Sequence, residues 1–267
     1  MPSKPSACVV LMCTTEFSRQ CYLAGDYMIQ INSTYNEDHI KERLQVFVER
    51  FYESMTTKLE GMTLKNITDK NPYLLRVKGF NTASDIVNSA LNAYVSSAEE
   101  TVFGNEVFEP LAKEVCNGNK ALAEGVDVMI ERDREIFAIA VKSGPRVFNA
   151  DSKKRQIQNF EKAKKLAQQA RKAYYPVIGY CYGRKDTEGH AYEMAGQTFW
   201  QAVSGDEKFY ARILEWMEVP ATVRDSYKGA FDRASNRLVR EFASQYCDKT
   251  GEIMWEKLAA INSGKRR

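Results

Sequence analysis

Residues 125–145 read GVDVMIERDREIFAIAVKSGP. Two short apolar runs, Val126–Glu131 and Glu135–Val141, are rich in Val, Ile and Phe, and the charged link Arg132-Asp133-Arg134 separates them. That pattern predicts a β-hairpin. Asp127 falls inside the first strand, and Lys142 ends the second, just before Ser143-Gly144-Pro145. A charge within a short apolar strand is costly unless it is paired or binds something. Asp127 and Lys142 therefore have two readings, a structural ion pair at a sheet end or a functional site. Strand side chains alternate faces, so Ile136, Ala138, Ala140 and Lys142 share one side and Glu135 points away.

Working outward, residues 151–174 carry Ile157, Phe160, Ala163, Ala167, Ala170 and Tyr174 on one helical face, with Asp151 or Ser152 as a cap. Pro176 ends that helix, and Val177–Tyr182 (VIGYCY) predicts a third strand. Strand, helix and strand in series imply a right-handed crossover between parallel strands. Upstream, Ile40, Leu44, Phe47, Phe51, Met55 and Leu59 predict a helix capped by Asn36 or Asp38. A second helix is expected from Thr82 or Ser84 through Val95. A third holds Val102, Phe108, Leu111 and Val115 and stops at Asn117-Gly118-Asn119. From Thr198 onward the chain reads helical, and Phe199, Trp200, Phe209, Tyr210 and Trp216 recur at core spacing. The fold class is α/β, with a central mixed sheet flanked by helices. Residues 1–70 form a mostly helical N-terminal region and 71–267 the core with a helical C-terminal region, together one unit.

Composition narrows the classes. Of 267 residues, 44% are hydrophobic and 27% charged, a globular balance that argues against disorder. The net charge of +3 is too small to identify a nucleic-acid binder, so its distribution matters more than its total. Six cysteines without a C-x-x-C pair, and only two histidines, His39 and His190, argue against a zinc site. Scattered thiols suit a reducing cytoplasm. The apolar run Ala7–Cys13 is read as a buried strand and not as a signal peptide. No apolar stretch approaches the roughly 20 residues of a membrane helix.

A carboxylate and a lysine on adjacent strands suit metal-assisted phosphodiester hydrolysis. The carboxylate holds Mg²⁺ against the phosphate, and the lysine orients water and offsets developing charge. The basic residues cluster beside the pair. Between Lys142 and Lys172 stand ten Lys or Arg against two acids, Asp151 and Glu161. Ser143, Arg146, Asn149, Lys153, Lys154 and Arg155 occupy the following loop and first helical turn and are the expected contacts to double-stranded DNA.

The order helix, hairpin, helix, strand, with Asp127 and Lys142 in it, resembles the PD-(D/E)xK nuclease superfamily. The segments NPYLLRVKG (71–79), SSAEETVFGNEVFEPLA (96–112), residues 125–145 and AGQTFW (195–200) are similar to a branch of type II restriction endonucleases that cut GG/CC palindromes with a central unspecified or A/T base. The resemblance spans Asn71 to Trp216. It is specific at VKSGP and EETVFG and weak over the first 60 residues. It implies sequence-specific, Mg²⁺-dependent cleavage of DNA. A homodimer would match the two half-sites, and a separate methyltransferase would protect host DNA. Two departures stand out. Val126 replaces the proline of the motif, and Ala140 stands where the pattern puts an acid two residues before the lysine. Related nucleases use a helix glutamate as a metal ligand at about the place of Glu109. The resemblance therefore points to Asp127 and Glu109 as the metal ligands and to Lys142 as the third catalytic residue. Glu100 is the reserve and Glu124 has the wrong strand parity. A structure-specific repair or junction nuclease, and an inactive DNA-binding protein, remain as rivals.

Overall fold

The computed structural model describes residues 31–32, 34–120, 123–132, 134–184 and 192–263. The strand expected over Ala7–Cys13, and His190, lie outside these residues. Helix α1 (Glu37–Glu60) starts where the Asn36 side chain accepts the His39 amide at 3.0 Å. Glu37 and Asp38 in its first turn suit the positive end of the helix dipole. Two short helices follow, α2 (Leu64–Thr68) and α3 (Pro72–Val77), and then α4 (Ala83–Phe103). Thr82 caps α4 in a reciprocal box with Asp85.

At the end of α4 the structure differs from expectation. The two helices expected over 82–95 and 102–115 form one path. α4 runs directly into a π turn (Gly104–Phe108) and on into α5 (Glu109–Val115). Phe103 meets Phe108 edge-on, with ring centres 4.8 Å apart. That five-residue step breaks the three-and-four spacing, which is why the periodicity reads as two helices. Asn117, at a φ of 51°, turns the chain out of α5 at the expected stop.

The sheet is ordered β1 (Asn119–Lys120), β2 (Val128–Glu131), β3 (Glu135–Lys142), β4 (Ala173–Tyr180) and β5 (Tyr192–Ala195). β1, β2 and β3 pair antiparallel, whereas β3, β4 and β5 pair parallel. The hairpin is as read, with Val128 opposite Ile139. Asp127 precedes β2 by one residue, although its amide still donates to the Ile139 carbonyl at 2.9 Å.

Helix α6 (Ala150–Gln169) crosses from β3 to β4 but is shorter than its periodicity suggests. It stops at Gln169, Arg171 takes a φ of 56°, and β4 begins at Ala173, taking in Tyr174, Tyr175 and Pro176. Phe137 stacks on Tyr175 at 5.0 Å, so pairing with β3 outweighs the helical pattern of this segment. Pro176 is tolerated for a geometric reason. Ala173 donates its amide to the Arg134 carbonyl just before β3 and Cys181 to the Lys142 carbonyl, so residue 176 faces the opposite side, ahead of Val177 where pairing with β5 begins.

After β5 come α7 (Gln197–Ser204), α8 (Phe209–Trp216), α9 (Ala221–Tyr246) and α10 (Trp255–Ser263). One face of the sheet, with Phe137, Ile139 and Val141, packs on α1, α5, α7 and α8. The other face, with Ala138 and Ala140, packs on Phe160 and Ala163 of α6. A separate helical cluster joins α4 to α9. α1 serves both, with Ile40, Leu44 and Phe47 in the sheet cluster and Met55 and Leu59 in the helical one. Among the described residues no helix is long and apolar enough to cross a membrane.

Candidate active site

The hairpin register brings the start of β2 to the end of β3, and with it Asp127 to Lys142. Asp127 Oδ2 accepts the Val141 amide at 2.7 Å and the Lys142 ammonium at 3.1 Å. Lys142 Nζ also donates to the Val141 carbonyl at 2.9 Å. The two side chains are 21% and 24% exposed, which leaves the pair open to a substrate. The ion pair is present, and Asp127 orients the lysine.

Both residues line a cleft of about 410 Å³. α4, the π turn and α5 form its opposite wall and contribute Glu100, Gly104 and Glu109. Ser143, Arg146 and Tyr182 close its rim. The cleft therefore holds both helix carboxylates considered for the missing acid, whereas Glu124 is exposed and does not line it. Ala140 is fully buried against Phe160, Ala163 and Ile178, so its strand position is filled by packing.

The expected DNA contacts divide into engaged and exposed groups. Ser143 Oγ donates to the Glu100 carbonyl at 3.2 Å. Asn149 is the N-cap of α6, accepting the Ser152 amide at 2.8 Å. Lys153 pairs with Glu193 at 2.7 Å. Arg146, Lys154 and Arg155 are exposed, and Arg146 is on the cleft itself.

Two features escaped the sequence reading. Glu193 on β5 is only 2% exposed and accepts the Tyr180 hydroxyl at 2.9 Å as well as Lys153. Burial, and then this carboxylate, push the Tyr180 phenol pKa up. Only the pairing of Ile178 with both Ala140 and Glu193 reveals that this acid lies in the same row as Ala140, and it does not line the cleft. The second is Tyr182, whose hydroxyl donates to Glu100 Oε1 at 2.8 Å. That hydrogen bond, with a smaller contribution from burial, raises its phenol pKa. Its only signal in the sequence is its place just beyond VIGYCY's core, level with the loop after Lys142. Cys181 beside it is a buried thiol whose pKa burial raises well above the usual range, which makes it unreactive.

Among the described residues no three His, Cys, Asp or Glu side chains converge as a closed metal cage. Mg²⁺ does not need one, since one or two carboxylates with waters and substrate phosphates suffice. Asp127 and Glu109, hard oxygen donors on facing walls of one cleft, fit that mode. No curated protein matches the chain. A family model described as type II restriction endonuclease EcoO109I matches residues 38–225, a span that holds the whole cleft and nearly all of α1.

Proposed function

The chain belongs to the family of the type II restriction endonuclease EcoO109I, with a restriction-endonuclease-like α/β fold, and we propose that it hydrolyses both strands of palindromic double-stranded DNA with Mg²⁺. The observation that carries this is the convergence of Asp127, Lys142 and Glu109, from β2's leading edge, β3 and α5, on one cleft.

Asp127 and Glu109 would hold the cation, which when bound would supply Lewis-acid polarisation of the scissile phosphate and a more acidic water. Lys142, fixed by Asp127 and the Val141 carbonyl, lies beside the attacking water and offsets charge that develops on the phosphate. Arg146 on the cleft, with Lys154 and Arg155 in the first turns of α6, supplies exposed positive charge for backbone phosphates. Asn149 and Lys153 hold the first turn of α6 in place and so aim Lys154 and Arg155. The products are 5′-phosphate and 3′-hydroxyl ends.

A palindrome presents two equivalent half-sites, and a two-fold homodimer matches them. A companion methyltransferase protects the host's own copies of the site. A defined plasmid incubated with Mg²⁺ tests the reading. Discrete fragments with one repeated end sequence support it. Branch-dependent nicking points to a repair or junction nuclease. Binding without cleavage identifies an inactive DNA-binding protein, which Ala140 makes the sharpest rival.

A further inference from the structure

In an unbroken α-helix each residue advances about 100°, so Glu100 and Glu109 would lie about 180° apart, on opposite faces. Both nevertheless line the same cleft. The π turn between them accounts for this. The Glu109 amide donates to the Gly104 carbonyl, five residues back. The extra residue takes up about 100° of rotation and leaves the two acids about 80° apart. The helix presents Glu100, Thr101, Gly104 and Asn105 to the cleft, a face whose centre residue 108 of an unbroken helix would occupy and where Glu109 stands instead. The core edge steps from Phe103 to Phe108, whose ring packs 6.2 Å from Trp200.

We propose that this one-residue slip is a positioning device, turning Glu109 and not Phe108 into the cleft and so supplying the carboxylate that β3 lacks at Ala140. Gly104 belongs to the device. A Cβ there would meet Ser143 Oγ at 2.6 Å, so a side chain at 104 would displace that hydroxyl from the Glu100 carbonyl it bonds. π turns inserted in α-helices concentrate at functional sites, where they re-aim the side chains beyond them. The inference rests on the reading of Glu109 as a metal ligand, and its test separates the two.

The test moves one ligand by one place in the full chain. In E109Q, Mn²⁺ alone, titrated by calorimetry, is expected to bind at least about tenfold more weakly than in the native protein. E109C places a soft ligand at the same point, and Cd²⁺ should give a thiolate-to-metal charge-transfer band above that of the native cysteines. The register control is F108C in the E109Q background, a large-to-small change where Phe108 packs on Phe103 and Trp200. It should give no added band and no recovery of metal binding. A cadmium band from Cys at 108 equal to that at 109 overturns the slip while leaving Glu109 a ligand. Unchanged Mn²⁺ binding by E109Q overturns both readings. Far-ultraviolet dichroism of each variant establishes that the helix is retained.

Discussion

Asp127 carries a structural duty and, in the proposed reaction, a chemical one, and substitution can separate the two. Its Oδ2 holds the Val141 amide at 2.7 Å and the lysine at 3.1 Å. A hydrogen bond to a charged acceptor contributes about 1.5–3 kcal/mol, and the partial exposure of the carboxylate argues for the low end. The half-open ion pair adds about 0.5 kcal/mol. Asp127→Ala should therefore cost about 2 kcal/mol in urea unfolding, or roughly 4–8 °C in Tm for a chain of this size. Asp127→Asn keeps an oxygen for the Val141 amide and should lose about 1 kcal/mol or less. Cleavage should respond differently. Both variants lose the ionised ligand, so both should fall at least about 10³-fold in kcat, equivalent to about 4 kcal/mol. The assay pairs urea curves with initial rates on linearised plasmid. An Asp127→Asn protein that cuts at the native rate would remove Asp127 from the site. An Asp127→Ala protein of native stability would show that the Val141 bond contributes nothing to the hairpin.

Lys142→Ala should abolish cleavage while DNA binding by mobility shift stays within about threefold, because one phosphate contact among several is lost; restored cutting in that variant would reassign the water-orienting role. Lys153→Ala leaves the buried Glu193 with a partner missing and should cost about 1–2 kcal/mol in urea unfolding, less than a fully buried pair because Lys153 is 39% exposed. Lys154→Ala should leave stability within about 0.5 kcal/mol but reduce the salt dependence of DNA binding by about one ion, and reversed outcomes would exchange their roles. Glu100→Gln removes the charged acceptor that favours the protonated Tyr182 phenol, so this tyrosine should ionise at lower pH than in the native protein. Ultraviolet titration, differenced against Tyr182→Phe, reads that shift, and no change would separate Glu100 from Tyr182.

The missing acid at Ala140 has a packing explanation. The methyl group fits a fully buried seat between α6 and β4, where a carboxylate would be both oversized and desolvated. The cleft is instead furnished from the facing helix. Glu193, the buried acid nearest in strand row, is committed to Tyr180 and Lys153 and braces α6. A carboxylate in the fold is thus assigned by what it faces, not by its distance from a motif.

The hairpin, α1, the cap of α4 and the crossover helix were all legible, because each is written in local signals of alternation, helical spacing or a capping side chain. The end of α6 was not. Residues 170–174 carry apolar spacing that suits a helix, yet the helix ends at Gln169 and the open edge of β3 pairs Ala173 and Tyr174 as a strand. Spacing within a segment does not register a partner strand more than 30 residues away. The ion pair of Lys153 was illegible for the same reason, since nothing near it in sequence announces Glu193.

By itself the sequence determined the α/β class, the strand pair and the acid–lysine couple at its end, since these depend on neighbours within about fifteen residues. Which carboxylates share the cleft with Asp127 and Lys142 was decided only in three dimensions. The answer depends on the rotation accumulated along α4, the π turn and α5, and on what α6 presses against β3. A one-residue slip barely marks the sequence, but it turns every later side chain by about 100°, and only the packed core reveals which way Glu109 then faces.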